Sequence, residues 1–463
     1  MSQPSETGPG HATLVLLITS ISAFITPFNG SAINIALPAI GHEFAMDAIT
    51  LSWVATSTLV ATAVFLVPLG RLADIRGLKK TMVTGLVVYI FAAIFSALSF
   101  NMETLMASRV LQGLASAMIV STSTALVVLA FPLSQRGRVL GINVAFVYIG
   151  LSVGPFLGGI LTQAFGWRSI FWLIVLLLLA PIILTLTLIR GEWAAARGEK
   201  FDLTGSIIYG IGVTALIMGF SELPGWTGFI AIILSILVLI GFVLWELRAS
   251  EPVLNIALFI NNRAFGFSNL AALINYAATF AVTFLLSLHL QYLNNMTPAS
   301  AGIVLLAMPI MQTIFSPMAG RLSDRIEPRL LASIGMGLNV AGLFMLIFLN
   351  ERLPLYYIII SLIILGLGFA LFSSPNTNSV MSSVDRQSLS IASATLATMR
   401  LIGQMLSMGV TMMVLAVFIG HVQIAPPVFP QLQSSIRACF AIFTVLCFGG
   451  IFASLARGQL RKP

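Results

Sequence analysis

Fourteen long apolar runs, almost free of charged residues, dominate this sequence. A helix needs about 20 apolar residues to cross the roughly 30 Å hydrocarbon core of a bilayer. Only 8% of the residues are charged, whereas a water-soluble domain carries about 25%. The chain is therefore predicted to be an all-α integral membrane protein with 14 transmembrane helices. The predicted spans are 13–38, 49–70, 80–100, 104–130, 139–163, 168–189, 203–220, 227–247, 265–293, 299–318, 330–350, 354–380, 391–420 and 435–456.

Basic residues fall mainly in alternate loops. Because the number of spans is even, both termini share one side of the membrane, and all but five of the 23 lysines and arginines fall on that side. The exceptions are Arg109, Arg168, Arg352, Arg400 and Arg437. Cytoplasmic loops carry an excess of Lys and Arg, so we predict a multi-pass protein of the cell membrane with both termini in the cytoplasm. Topology then accounts for the net charge of +8, and nucleic acid is not expected as a partner.

A short string of residues occurs twice. Residues 70–74 read GRLAD between spans 2 and 3, and residues 320–324 read GRLSD between spans 10 and 11. Parallel repeats of this kind are typical of transporters, whose substrate site lies between the two halves near the middle of the membrane. We therefore predict two six-helix bundles separated by an inserted helix pair. The predicted domains are a cytoplasmic tail at 1–12, an N-terminal bundle at 13–189, the inserted pair with its loops at 190–264, a C-terminal bundle at 265–456 and a cytoplasmic tail at 457–463.

Further motifs accompany this repeat in a fixed order. They are NIALP at 34–38, GRLADIRGLKK at 70–80, residues 105–117 with Arg109, GLSVGPFLGG at 150–159 and WRSIF at 167–171. Together they resemble the major facilitator superfamily, in particular its fourteen-helix drug:proton antiporter branch. The resemblance implies a major facilitator fold and a monomer without enzymatic activity. It also implies a secondary transporter that works by alternating access and exports amphipathic or drug-like small molecules.

The repeated string predicts a cytoplasmic gate. A carboxylate such as Asp74 can accept hydrogen bonds from a helix N-terminus or pair with Arg76 or Arg138, and such a latch would hold the two halves together. The alternative is an ordinary basic loop that only sets topology. The residues assigned to the gate are Gly70, Arg71, Asp74, Arg76, Gly77, Arg138, Arg321 and Asp324.

Glycines recur every four residues in span 5. This spacing lines one face of the helix with hydrogen atoms and lets a neighbouring backbone approach closely, while the proline within it can bend the helix. The pattern predicts helix packing, and the family resemblance adds a hinge between outward and inward states. The residues assigned to this role are Gly150, Gly154, Pro155, Gly158 and Gly159.

Two arginines are predicted to lie deep in the membrane, Arg109 about 8 Å and Arg400 about 13 Å from the nearer end of the span. A charge at such depth costs at least about 2.5–3.5 kcal/mol. Each guanidinium is therefore expected either to bond to backbone carbonyls or to contact the substrate, and buried amides either join helices or line the cavity. The residues assigned to the substrate cavity are Asn29, Asn34, Arg109, Asn275, Gln312, Asn376 and Arg400, with Tyr148 and Tyr276 among the aromatic candidates.

None of the 15 carboxylates falls in the middle of a span. The antiporter branch has an acid nine residues before the proline at the end of the first span, and this chain has Asn29 there, which cannot titrate. The one deep titratable candidate is His289 in span 9, because histidine changes charge near neutral pH. An interfacial histidine without a proton role is the alternative.

Three functions stay open at this point. The first is export of drug-like molecules, with protons as a candidate coupling partner. The second is transport of anionic or zwitterionic solutes or lipids without an obligatory proton, and the third is a non-transporting membrane receptor or scaffold. The sequence contains no ATP-binding loop, metal-ligand cluster or nucleophile triad, so neither a cofactor nor a metal is expected.

Overall fold

The computed structural model of the protein describes residues 9–131, 133–188, 192–194, 198–249, 262–323, 325–384 and 389–458. Within these residues, fourteen helices are long and apolar enough to cross a membrane, which confirms the predicted spans. They are α1 Pro9–Glu43, α2 Ala48–Arg76, α3 Leu78–Ala97, α4 Met102–Ala130, α5 Leu133–Phe165, α6 Arg168–Leu188, α7 Leu203–Ser221, α8 Trp226–Glu246, α9 Arg263–Leu293, α10 Pro298–Ser323, α11 Pro328–Ile347, α12 Leu355–Ser382, α13 Leu389–Phe418 and α14 Phe429–Ala456.

Two of these helices change geometry along their length. In α9, the α-helical stretches Arg263–Thr279 and Val282–Leu288 are followed by a π-helical turn at His289–Leu293. In α10, the stretch Pro298–Leu305 precedes the longer stretch Ala307–Ser323. Single π-helical turns occur mostly inside α-helices and often near functional positions.

Several helices are longer than their predicted apolar spans. The first span was predicted to end at Pro38, but α1 continues through this proline to Glu43, whose carboxylate accepts a hydrogen bond from the Trp167 indole at 2.7 Å. The next helix begins at a capping residue, because Asp47 accepts from the Thr50 amide at 2.7 Å. Hydropathy finds only the part of a helix that lies in hydrocarbon, whereas polar caps decide where the helix begins or ends.

The helices fall into three packing groups. Helices α1 to α6 pack against one another, as do α9 to α14, and α7 packs on α8. Helix α7 also contacts α2 of the first group and α13 of the second. We call α1 to α6 the first half and α9 to α14 the second half.

Polarity is distributed oppositely to that of a water-soluble protein. Large apolar side chains such as Ile233 and Leu237 on α8 are exposed, whereas Asn29, Arg109 and Asn339 are buried inside the helix bundle. In a membrane the exterior faces hydrocarbon, so polar groups are stabilised only where other polar groups or water can meet them.

The two halves meet at the face opposite to that of the chain ends. Here Ser287 of α9 donates to the Asn34 carbonyl of α1 at 2.7 Å, and Gln291 donates to the Ile35 carbonyl at 3.0 Å. The Ala48 amide, at the start of α2, also donates to the carbonyl of Val422, which follows α13. These bonds close the bundle at what we call the opposite face, as distinct from the terminal face, where α1 begins and α14 ends.

Candidate functional site

Arg109 on α4 is enclosed within the first half. Its side chain is only 1% exposed. Its Nε donates to the Val54 carbonyl of α2 at 3.0 Å, and its Nη1 donates to Gln112 Oε1 at 2.7 Å. The charge is therefore met by neutral oxygens from two helices, which is the first of the two arrangements expected for a deep arginine.

Asn29 belongs to the same network. Its Nδ2 donates both to the Tyr89 hydroxyl and to Gln112 Oε1, each at 2.8 Å, and Gln112 in turn donates to Ser96 Oγ at 2.8 Å. Asn29 is 1% exposed. The structure thus joins Asn29 and Arg109 through Gln112, in a polar cluster that ties α1, α3 and α4 together inside the first half.

Asn275 has a comparable place in the second half. The Asn339 amide of α11 donates to its Oδ1 at 2.9 Å, and both side chains are fully buried. Asn339 lies 250 residues after Tyr89, the same offset that separates the two copies of the repeated string. In each half an asparagine of the first helix is therefore bonded to the same position of the third helix, which makes this pair a means of joining helices.

Arg400 on α13 has different surroundings, because it is only partly buried and faces α9 and α12. Its Nη2 donates to Thr377 Oγ1 at 2.5 Å, and its Cζ lies 5.7 Å from the centroid of the Tyr276 ring. The Tyr276 ring packs edge-on against Phe369 at 5.2 Å. Within the described part of the chain, the buried Nε of Arg400 makes no hydrogen bond.

The first half reaches this arginine through Tyr148 of α5. The Tyr148 hydroxyl is hydrogen-bonded to Ser373 Oγ of α12 at 3.0 Å, and Ser373 lies one helical turn before Thr377 on the same face. Tyr148 is close enough to Tyr276 and Arg400 to interact with them electrostatically. We call Tyr148, Tyr276, Ser373, Thr377 and Arg400 the interface cluster, since it lies where the two halves meet near the middle of the helices.

The other residues assigned to the cavity lie elsewhere. Asn34 is at the closed opposite face, and Gln312 of α10 is buried at 4% exposure. Asn376 donates to the Ser268 carbonyl at 3.1 Å and accepts from Arg457 Nη1 at 3.0 Å, so it belongs to a network on the terminal side of the second half.

Arg457 is a residue whose role was missed in the sequence. It was assigned to the cytoplasmic tail as one of the basic residues that set topology, yet it is 2% exposed. Its Nε donates to the Ser454 carbonyl at 2.7 Å, and it bonds to Asn376 as well. A sequence signal exists only in hindsight: an arginine directly after an apolar helix can fold back to cap the last carbonyls.

At the gate, the carboxylate that meets the helix N-terminus is Glu192 rather than Asp74. Glu192, from the segment after α6, accepts from the amides of Lys79 at 2.8 Å and Lys80 at 3.2 Å. Arg71 forms an ion pair with Glu199 of the same segment. The expected role of Asp74 at this N-terminus is thus taken by a residue that is distant in sequence.

The remaining gate residues are only partly described. Asp74 is half-buried near the end of α2, Arg76 and Arg321 are exposed, and Gly77 has a φ of +122° between α2 and α3. Asp324 and the side chain of Arg138 lie outside the described residues. The latch between the two halves therefore stays a prediction.

The glycines of α5 lie at two close helix contacts. Gly150, Gly154 and Gly158 face α1, where a methyl group on Gly154 would lie 2.9 Å from the Phe28 carbonyl oxygen. Gly159 faces the start of α10, where a methyl group would lie 2.5 Å from the Pro298 carbonyl oxygen. The α5 backbone thus approaches both halves closely, and the hinge assigned to these glycines and Pro155 stays a prediction.

His289 lies in the π-helical turn of α9. It is fully buried, and both of its ring nitrogens lack a hydrogen-bond partner among the described residues. The structure places it away from Asn29 and Arg400, so it joins neither polar cluster. Its role as a proton site stays a prediction.

Comparison with known proteins agrees with this architecture. The family model described as Major Facilitator Superfamily matches residues 19–199 and 268–462. The chain is 29% identical over 387 residues to the riboflavin transporter RibZ of Clostridioides difficile (strain 630), covering 84% of each protein. It is 31% identical over 413 residues to the multidrug resistance protein Stp of Mycobacterium tuberculosis (strain ATCC 25618 / H37Rv), covering 88% of this chain and 76% of Stp.

Solved structures show the same fold. A bacterial homolog of the human lysosomal transporter Spinster, in an inward-facing and unoccupied conformation, superposes with a TM-score of 0.69 at 14% identity, covering 97% of this chain and 98% of that one. A point mutant of the nucleoside transporter NupG superposes with a TM-score of 0.66 at 15% identity, covering 96% of this chain and 99% of that one. The family model matches more than half of the chain, which also has fourteen spans and a duplicated string. The chain therefore belongs to the Major Facilitator Superfamily and is a membrane transporter of small molecules, not an enzyme.

Proposed function

We propose that this transporter exports amphipathic, drug-like small molecules across the cell membrane by alternating access, and that the interface cluster is its substrate site. The observation that carries the proposal is Arg400, a cation at mid-membrane that lies between the two halves and whose buried Nε makes no hydrogen bond within the described residues. The similarity to Stp, which is a multidrug resistance protein by name, supports export of drug-like molecules.

The orientation follows from the distribution of basic residues, which puts both termini in the cytoplasm. The terminal face is then the cytoplasmic one, and the bonds from Ser287 and Gln291 close the bundle toward the outside. Alternating access requires these contacts to break when the substrate site opens outward. The transporter works as a monomer, because the interface cluster is complete within one chain.

Export is tested first in an efflux-deficient bacterial host. Cells that express the protein are expected to accumulate less of at least some amphipathic compounds from a panel that covers cations, anions and neutral molecules. The control variant is Arg437→Met, which removes an exposed arginine on α14 that bonds to the Ile347 carbonyl. It should lower accumulation as much as the wild-type protein does. Equal accumulation of every compound with and without the protein would contradict the proposal.

Alternating access is tested by locking the opposite face. Asp47 and Gln423 pair as neighbours across an antiparallel bridge, a geometry in which Cα atoms lie about 4.5–5.5 Å apart and which a disulfide can span. We expect the oxidised Asp47→Cys/Gln423→Cys protein to stop exporting and to recover on reduction. The two single variants serve as controls, because each loses the same side chain without a cross-link. Export at an unchanged rate by the fully cross-linked protein would show that this face need not open.

A further inference from the structure

We infer that the interface cluster recognises planar aromatic anions, and that Arg400 binds their acidic group. This inference rests on the proposed transport function and specifies the substrate class of the same site. It goes beyond general export of amphipathic molecules, because it requires one sign of charge next to one flat ring.

The guanidinium of Arg400 favours a negatively charged ligand. A guanidinium has five N–H donors in a planar fork that matches a carboxylate or another oxyanion. The Thr377 hydroxyl accepts a hydrogen bond from one of these donors, on Nη2. The Nε atom is buried and has no hydrogen-bond partner in the described part of the chain. A buried donor without a partner is costly, and an incoming anion would supply that partner.

No acid of the described residues neutralises this arginine. Arg71 pairs with Glu199, Arg168 pairs with Glu43 and His421 lies beside Asp47, and none of these contacts involves Arg400. The first two lie at helix ends, and the third lies at the closed opposite face. A cation at mid-membrane without a protein counter-charge favours a substrate that brings the negative charge itself.

The comparison with Arg109 strengthens this assignment. Arg109 bonds to Val54 and Gln112 and is enclosed, so no substrate needs to satisfy it. Arg400 has one such bond within the part of the chain that the structure describes, and it is partly accessible. Both arginines carry a charge inside a span, and within the described residues only Arg400 of the two combines an unpaired donor with access.

The preference for a flat ring comes from Tyr276. This ring is half-buried, lies beneath the Arg400 guanidinium and already packs edge-on against Phe369. Aromatic rings favour stacked or edge-to-face partners, and a guanidinium stacks on aromatic faces. A planar aromatic acid can therefore place its ring beside Tyr276 and its acidic group on Arg400 at the same time.

The experiment uses two dyes that share a xanthene ring system and differ in charge, the anion fluorescein and the cation rhodamine 123. Their binding to the purified full-length protein is followed by fluorescence anisotropy at mildly alkaline pH. We expect fluorescein to bind more tightly than rhodamine 123. Arg400→Gln should weaken fluorescein binding about tenfold to a hundredfold, because a charge-assisted hydrogen bond is lost.

Three variants separate recognition from folding. Arg400→Lys keeps the charge and loses the fork, so it should retain part of the preference for fluorescein. Tyr276→Leu should weaken the binding of both dyes, since it removes the aromatic ring and leaves the charge of Arg400 in place. Arg437→Gln, on an exposed arginine of α14, should change neither, and all variants are compared only where they elute as a single folded species.

The outcomes distinguish this inference from the proposed function. Tighter binding of rhodamine 123, no binding of either dye, or fluorescein binding unaffected by Arg400→Gln would overturn the inference. If inorganic phosphate bound as tightly as fluorescein, the inferred preference for an aromatic ring would be overturned. If vesicles that contain the protein transport rhodamine 123, but fluorescein binding does not depend on Arg400, the export proposal stands and the inference fails. If fluorescein binds through Arg400 but the protein exports no compound of the panel, the inference stands and the export proposal is contradicted.

Discussion

The two deep arginines, one in each half, differ in how the protein satisfies them. Arg109 donates to the Val54 carbonyl and to Gln112, within a cluster that includes Asn29 and is closed off from the interface. Within the described residues, Arg400 donates only to Thr377, and it lies beside Tyr276, where the halves meet. Depth in the membrane is therefore a poor guide to function on its own. What distinguishes Arg400 is an unpaired buried Nε, among the described residues, on a side chain that is partly accessible between the two halves.

The largest effect is expected on transport by Arg400→Met. This change should lower the export rate about tenfold or more, since it removes a charge-assisted contact to the substrate. The temperature of unfolding should stay near that of the wild type, because the guanidinium makes a single hydrogen bond within the described residues. Initial export rates and thermal unfolding in detergent provide the measurements. If Arg400→Met unfolds more readily than the wild type but exports normally when folded, Arg400 holds the helices together and does not contact the substrate.

The next effect is on stability in the first half, from Gln112→Leu. Gln112 accepts from Arg109 and Asn29 and donates to Ser96. Its loss leaves buried donors unpaired, so the free energy of unfolding should fall by about 2–4 kcal/mol. Thermal or denaturant unfolding of the purified protein measures this change. If Gln112→Leu is as stable as Arg400→Met, the enclosed network is not what holds Arg109.

A smaller effect on stability is expected where α5 packs on α1. This contact positions α5, which carries Tyr148, within the first half. Gly154→Ala places a methyl group in steric overlap with Ser31 Oγ and 2.9 Å from the Phe28 carbonyl oxygen, and overpacking of this kind costs about 1–3 kcal/mol. The matched control is Gly30→Ala on α1, where a methyl group meets nothing within 4 Å. Unfolding of both variants measures the difference. Equal stability of the two would show that this close approach is not tightly constrained.

The smallest effect concerns the two copies of the repeated string. In the first half Arg71 is paired with Glu199, whereas Arg321 in the second half is exposed. Glu199→Gln should destabilise the protein by about 0.2–1 kcal/mol, since the pair is partly solvated. High salt should remove the difference between variant and wild type. Glu351→Gln, on an exposed loop, is the control, and a salt-independent loss would point to a role other than the ion pair.

Much of the fold could be predicted from local signals. Runs of apolar residues located all fourteen helices, because hydrocarbon leaves a backbone no partner other than itself. Helix ends were predicted less well: α1 passes through Pro38 to Glu43, since capping and contacts beyond the apolar core decide where a helix stops. The family could also be identified, because its motifs are local strings in a fixed order.

The candidate site was only partly predictable. Arg400 and the two tyrosines were anticipated as polar or aromatic groups deep in spans, but Ser373 and Thr377 were not. Asn29 and Arg109 were assigned to the cavity, and the structure encloses both in the first half. Arg457 and Glu192 were missed, because their partners are distant in sequence and no local pattern reports such a contact.

The sequence by itself determined that this chain crosses the membrane fourteen times, that its halves are related by a repeat, and that two arginines lie deep without an acid beside them. These properties follow from hydropathy, spacing and charge, which act over a few helical turns. Only the tertiary structure decided which arginine is enclosed by partners and which has a buried Nε without a partner among the described residues. That depends on whether a neighbouring helix presents a carbonyl or an amide within hydrogen-bonding distance, and a difference of a few ångströms between helices settles it.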